Sequence, residues 1–217
     1  MKRIFSNLRA IIGVTFLSLL CLLAAFAPWV SPYNPNMIDP IKSLQPPNLT
    51  HPFGTDTMGR DVFSRVVYGT RYSLTLGLVV ILLAGTAGTV VGLLSGSFGG
   101  LMDTFIMRFV DVGLAFPRIL WALLVISIIG PGLPSIAIAL SVASTPRFIR
   151  VVRGPVLSVK EESFVEAAEA CGASTMRIIF RHIFPEIFAP AITMATISLA
   201  GAIFSASSLG FLGLGAQ

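Results

Sequence analysis

Apolar residues fill five long stretches of this chain, at residues 10–30, 74–97, 112–129, 133 to the arginines after 146, and 187–209, while the charged residues gather between them. A helix of roughly 20 apolar residues crosses a bilayer. Residues 10–30 carry no charge, and a stretch of that length exceeds the roughly 7–15 residues of a signal-peptide core, so it reads as a first span. The pattern predicts an all-α membrane protein, a polytopic helical bundle with five transmembrane helices. Lys2, Arg3 and Arg9 precede the first span and set the N-terminus in the cytoplasm. On that layout the inner segments hold Arg108, Arg118, Arg147, Arg150, Arg153, Lys160, Arg177 and Arg181, and the outer ones only Lys42, Arg60, Arg65 and Arg71.

Residues 31–72 differ from the rest. Pro32, Pro35, Pro40, Pro46, Pro47 and Pro52 break regular structure there, which predicts an ordered external loop. Its far end places Asp61 in a first helical turn and Val62, Phe63, Val66 and Val67 on an apolar strip, predicting an interfacial helix that feeds the second span. The chain thus divides at residue 72: 1–72 carries the first span and external loop, and 73–217 the main transmembrane domain.

Within the second stretch, Gly88, Gly92 and Gly96 fall four apart on one helical face, a packing seam for a neighbouring helix. Residues 98–111 read as an inner turn. The third span begins at Phe116-Pro117, with Arg118 near enough to its end to reach the headgroups. Gly130-Pro131-Gly132 makes an outer turn. Arg147, Arg150 and Arg153 share one face and anchor the inner end of the fourth span.

After them, Ser158 and Glu161 stand in a capping-box relation that predicts a helix from Val159 through Glu166, Ala167 and Ala168, stopped by Gly172. Met176, Ile179, Phe180 and Ile183 then repeat at helical spacing opposite Arg177 and Arg181, and Pro185 disfavours helix at Phe184. Two short helices with a glycine elbow result, in the cytoplasm.

The Glu-Ala-Ala segment, Gly172 and the apolar pair before Pro185 resemble the "EAA loop" of bacterial ABC importer permeases. The string from Gly54 to Asp61 resembles the G-T-D-x-x-G-R-D segment of dipeptide and oligopeptide permeases. Asp103, Met107, Arg108 and Asp111 resemble that family's G-G-x-x-D-x-x-x-M-R-x-x-D, and the string from Phe211 to Gly215 its F-L-G-L-G. The resemblance is to the C-type permease subunit and covers nearly the whole chain. It implies a sixth span after the fifth, so a chain ending at Gln217 is expected to lack its last span. Two positions depart from the family pattern: Glu186 replaces a frequent Asn, and Ala206 a frequent acid.

What the resemblance implies is a pore subunit of an ATP-driven importer in the bacterial inner membrane, carrying dipeptides or oligopeptides, or else nickel or another small solute. Its partners would be a second homologous permease, two cytoplasmic ATP-binding subunits docked on the loop through Glu166, Ala167, Ala168, Gly172, Arg177, Arg181 and Pro185, an external or periplasmic solute-binding protein, and the lipid bilayer. A membrane scaffold that uses the same loop to hold a cytoplasmic protein is the rival from another class.

Composition narrows the chemistry further. With 54% hydrophobic and 12% charged residues the chain is too apolar for a soluble domain, and its net charge of +5 is spread through loop segments as a topology signal, which sets nucleic acid aside. No lysine follows a glycine as a P-loop requires, so energy must come from a partner. His51 and His182 lack a visible nucleophile or companion ligands, and Cys21 and Cys171 form no metal pattern, so no enzyme, cofactor or metal role is expected. No ionisable residue is expected in the middle of a span, which disfavours ion coupling. Ser198 and Ser205 are candidate polar residues of a pore.

Overall fold

The computed structural model describes residues 8–214. Lys2, Arg3, Gly215 and Gln217 lie outside the described residues. The chain divides into two compact units, Met1–Thr75 and Leu76–Gln217. Among the described residues four helices are long and apolar enough to cross a membrane, and five crossings result if one sharply bent pair counts as a single span.

In the first unit, helix α1 (Leu8–Ala25) is followed after Phe26 by a single turn, α2 (Ala27–Val30). The expected 10–30 span is therefore broken near its end. Pro28 has no N–H to continue the ladder, so the chain restarts there.

Residues 31–61 form an irregular but densely bonded segment that explains the Gly54 to Asp61 string residue by residue. Thr55 Oγ1 donates to the Lys42 carbonyl and accepts the Gln45 N–H at 2.8 Å. Asp56 accepts the backbone N–H groups of Met58 and Arg60, each at 2.9 Å, and pairs with the Arg60 and Arg65 guanidiniums. Gly59 has φ +73°, and a Cβ there would overlap the Asp39 carbonyl, so only glycine closes this turn. Asp61 precedes the helix instead of lying in its first turn: its Oδ2 caps the Ser64 N–H at 2.7 Å, and its Oδ1 meets His51 Nδ1 at 2.9 Å. His51 and Asp61 are both buried, and the Tyr33 ring lies 4.8 Å from the imidazole. The histidine is a latch within the segment.

Burial raises the Asp56 carboxyl, but the Arg60 and Met58 hydrogen bonds and the Arg60 charge outweigh it and lower the group from its ordinary 3.8 to about 2. Asp61 is lowered too, its burial being outweighed by Ser64 and His51. A lowered carboxyl stabilises the folded segment above its unfolded pKa and loses that contribution as pH falls through its folded pKa. The segment is accordingly expected to stay protease-resistant at pH 5 and to loosen between 3.8 and about 2, as read by limited acid proteolysis. Unchanged resistance at pH 2 would remove the carboxylates from its stability.

No separate interfacial helix follows. Helix α3 (Val62–Phe98) runs unbroken for 37 residues from this segment into the second unit. Gly69 and Tyr72 interrupt the apolar pattern without interrupting the backbone, which is why the sequence suggested two elements.

The second unit contains α4 (Gly100–Ala115), α5 (Arg118–Ile129), α6 (Leu133–Lys160), α7 (Ser163–Ala170), α8 (Thr175–Ile178) and α9 (Phe184–Leu209). Residues 98–111, expected to be a turn, are largely the helix α4. The third span is also not straight: α4 and α5 meet at 94° across Phe116-Pro117. Trp121 Nε1 donates to the Gly113 carbonyl at 3.0 Å and its ring packs edge-on to Phe116, which braces the bend.

Helix α6 is the buried axis of this unit. Ile136, Leu140, Phe148, Val152 and Val156 are almost inaccessible, packed with Val80, Ala84 and Leu93 of α3 and Ala202 and Leu209 of α9. The glycine face of α3 lies against it. A Cβ on Gly92 would sit 2.7 Å from the Ile149 carbonyl oxygen, one on Gly96 2.7 Å from Val156 Cγ1, and one on Gly88 would overlap Phe148. The backbones approach this closely because those side chains are missing.

Candidate functional site

Helix α6 does not stop at its arginines. It continues to Lys160, with Glu161 as its C-cap, so Ser158 and Glu161 end one helix instead of boxing the start of another. Ser158 Oγ turns back toward the Gly154 carbonyl. Helix α7 begins at Ser163 after an extended Glu162.

The end of α7 is built by a Schellman motif. The Gly172 N–H donates to the Glu169 carbonyl at 2.9 Å and the Ala173 N–H to the Ala168 carbonyl at 3.0 Å, with Gly172 at φ +77°. No heavy atom lies within 4 Å of a Cβ built on Gly172, so only the backbone conformation selects glycine there. Gly172→Val therefore acts through strain, about 1–2 kcal/mol for a left-handed residue and more for a β-branched one. Solute uptake should fall while membrane insertion is unchanged; full uptake by a normally expressed variant would remove the elbow from the mechanism.

Beyond Ser174 the chain does not form an isolated second helix. Helix α8 widens into a π-turn at Ile179–Ile183 and merges with α9, and Phe184 is helical with φ −56° and ψ −43°. The Phe184 N–H reaches back to the Ile179 carbonyl, so the wider turn accommodates Pro185, which lacks its own donor and would crowd a regular helix. The buried face also differs from the expected one. Ile178, Ile179, Ile183 and Ile187 are buried with Val165, Leu93, Val152 and Val156, whereas Met176 and Phe180 are exposed.

This cluster roots the loop on the end of the bundle. Its outer surface presents Glu166, Ala167, Arg177, Arg181 and Pro185, all exposed, with Ala168 half-buried beneath them. Phe164, Met176 and Phe180 add exposed apolar area to the same loop. A rigid surface with charge beside apolar side chains suits docking of another protein.

Charge pairs that no local pattern in the sequence signals tie the helix ends behind the loop. Arg153 forks onto Asp103, Nε to Oδ1 at 2.6 Å and Nη2 to Oδ2 at 2.5 Å, while Ser95 Oγ donates to the same carboxylate at 2.6 Å. Arg150 pairs with Asp111, and Lys160 Nζ donates to the Ser97 carbonyl at 2.9 Å. Two of the three arginines read as topology anchors thus bind acids of α4 that lie 39 and 50 residues away in sequence.

The remaining arginine, Arg147, lies midway along α6, inside a candidate span. The helix thus extends past the point where charge seemed to end it. Arg118 turns inward instead of toward the headgroups, donating from Nη2 to the Gly201 carbonyl at 2.9 Å. Both arginines line a cavity of about 320 Å³ with Gly113, Ser144 and Ser198. Ser205 stands elsewhere: it is buried, and its hydroxyl donates to the Gly201 carbonyl of its own helix at 2.9 Å.

The second unit is thus a helical bundle with a sharply bent α4–α5 pair, a glycine seam along its axis and a loop rooted on buried isoleucines. Residues 88–217 match the family described as binding-protein-dependent transport system inner membrane component, and residues 1–47 match the N-terminal transmembrane domain of oligopeptide transport permease C. The chain belongs to this family of bacterial ABC importer permeases, as a C-type subunit. It is 43% identical over 216 residues to the dipeptide transport system permease protein DppC of Alkalihalophilus pseudofirmus, covering 100% of this chain and 71% of that protein. It is 42% identical over 209 residues to the glutathione transport system permease protein GsiD of Escherichia coli, covering 96% and 69%. Among solved structures, the MetNI methionine ABC transporter in inward facing conformations matches with a TM-score of 0.54 at 23% identity, covering 65% of this chain and 73% of that one, which speaks for the fold. The protein is a multi-pass membrane component of a transport system and not an enzyme.

Proposed function

We propose that this chain is one of two pore-forming subunits of an importer for dipeptides or oligopeptides in the bacterial inner membrane. An external solute-binding protein delivers the solute, and ATP hydrolysis by two cytoplasmic partner subunits drives it across. The relatives' names support peptides over nickel, and over a scaffold without transport. The N-terminus lies in the cytoplasm, which puts the loop between α6 and α9 on the same side as the ATPases.

The observation that carries this reading is the loop itself. It is closed by a Schellman motif, seated on buried isoleucines and exposed along Glu166, Arg177 and Arg181. A lever of this kind transmits motion from a docked partner to α6 and α9, to which it is continuous in chain. In this reading Ala167 and Ala168 keep the docking face shallow, and Pro185 holds the π-turn where the loop joins α9.

Glu166→Lys tests it. Reversing an exposed charge on the docking face opposes the partner surface without disturbing the core. ATP hydrolysis stimulated by solute and binding protein, measured on the complex in vesicles, is expected to fall about tenfold or more, the equivalent of a lost charge-assisted contact. An unchanged response, or a wild-type chain that co-purifies with no ATPase, would remove the loop from coupling.

A further inference from the structure

We propose that the cavity walled by the α4–α5 bend, α6 and α9 is a carboxylate site for the transported solute, with Arg118 and Arg147 as its cations. This inference rests on the reading of the chain as a peptide importer. Its starting point is an imbalance of charge. Helix α6 presents three arginines at three-residue spacing, and Arg150 and Arg153 each take an acid of α4. Arg147 takes none, and among the described residues it has no hydrogen-bond or ion-pair partner.

Arg118 faces the same cavity, held by its bond to the Gly201 carbonyl. No Asp or Glu lines that cavity, so two guanidiniums share it without a counter-charge. Like charges within a bundle repel more strongly than in water, and an anion between them relieves both. The cavity also offers neutral donors. Ser144 is 7% exposed, and neither its hydroxyl nor that of Ser198 has a hydrogen-bond partner among the described residues.

Guanidinium forks bind the two oxygens of a carboxylate side by side. The volume, about 320 Å³, admits a small solute's end and not a whole protein segment. Every dipeptide and oligopeptide ends in a carboxylate whatever its side chains. A site that grips that end is compatible with many sequences, which is what a peptide pore needs. A phospholipid phosphate shares the oxyanion chemistry and is the competing occupant.

The experiment is arginine modification of the full importer complex in vesicles, with phenylglyoxal as reagent and mass spectrometry reading Arg147. Alanyl-alanine is expected to slow modification of Arg147 by about tenfold, the scale of one charge-assisted fork, while alanyl-alanine amide leaves it unchanged. Arg150, paired outside the cavity, should respond to neither. Equal protection by acid and amide, or no protection, overturns the proposal. So does an Arg147 that is unreactive in the empty complex, and so does protection that follows the phosphatidylglycerol content of the vesicles regardless of dipeptide, which assigns the site to lipid.

A second measurement is dipeptide uptake by Arg147→Gln and by Ser198→Val, the latter keeping both guanidiniums should the former not assemble. Each is expected to raise the half-saturating concentration of alanyl-alanine about tenfold; wild-type affinity in both overturns the proposal. Absence of uptake by the wild-type complex, with Arg147 still protected by the dipeptide, would instead overturn the importer reading and leave the carboxylate site standing.

Discussion

Asp103→Ala is expected to cost the transmembrane unit about 3 kcal/mol, because it leaves the Arg153 guanidinium with no acid in a partly dry setting. Arg153 keeps 29% of its side-chain exposure and Asp103 only 12%, so some water reaches the cation, and the cost belongs at the low end for a broken ion pair. The same change strips Ser95 Oγ of its acceptor, and Ser95 is fully buried. Three helices lose a common fastening at once: α3 through Ser95, α4 through Asp103 and α6 through Arg153. Thermal unfolding of the purified complex should shift several degrees down, and uptake should fall with it. Adding Arg153→Met to Asp103→Ala should recover most of the loss, since removing both charges abolishes the uncompensated one. A double variant no better than the single would show that the pair matters for something other than charge balance.

That fastening marks where the sequence stops being legible. Apolar runs reveal spans because a bilayer demands them of a local stretch, and the Gly88, Gly92 and Gly96 spacing is visible because it repeats within one helix. Asp103 and Arg153 are 50 residues apart, and nothing local distinguishes a cation that pairs across the bundle from one that sits at a headgroup. The arginine triplet therefore looked uniform, although two of its members pair with acids of α4 and the third, Arg147, faces a cavity.

Helix boundaries failed for a related reason. The Ser158 to Glu161 spacing satisfies a capping box, but α6 has enough buried apolar surface at Val152 and Val156 to run through it. Proline rules failed at Pro185 because a π-turn absorbs the missing donor, and tertiary packing of Ile179, Ile183 and Ile187 holds that turn. Gly172 was legible because its requirement is local: a Schellman motif needs one residue at positive φ, and glycine meets that need without help from the rest of the fold. His51 was not, since its partner Asp61 reaches it only after the proline-rich segment has folded back.

Gly92→Leu is expected to have a large effect on the seam. The atom nearest an added Cβ is the Ile149 carbonyl oxygen at 2.7 Å, followed by Val152 Cβ at 3.2 Å and Ile149 Cα at 3.3 Å. Two of these three are backbone atoms, which cannot turn aside as a flexible side chain does, so α3 and α6 must separate. Separation would open the contacts of Phe148, Val152 and Val156, each buried to within 1% of completely. Overpacking of a well-filled core costs about 1–3 kcal/mol even where side chains adjust, and here they have no room to do so. The better helix propensity of leucine returns less than about 1 kcal/mol. Gly92→Leu should therefore yield little assembled complex, Gly92→Ala an assembled complex of lowered thermal stability, and Gly154→Leu, on α6 with no atom within 4 Å of the new Cβ, a complex close to wild type. Size-exclusion profiles and unfolding temperatures of the three purified complexes check the ordering. Equal behaviour of Gly92→Leu and Gly154→Leu would mean that the close approach of α3 to α6 does not hold the bundle together.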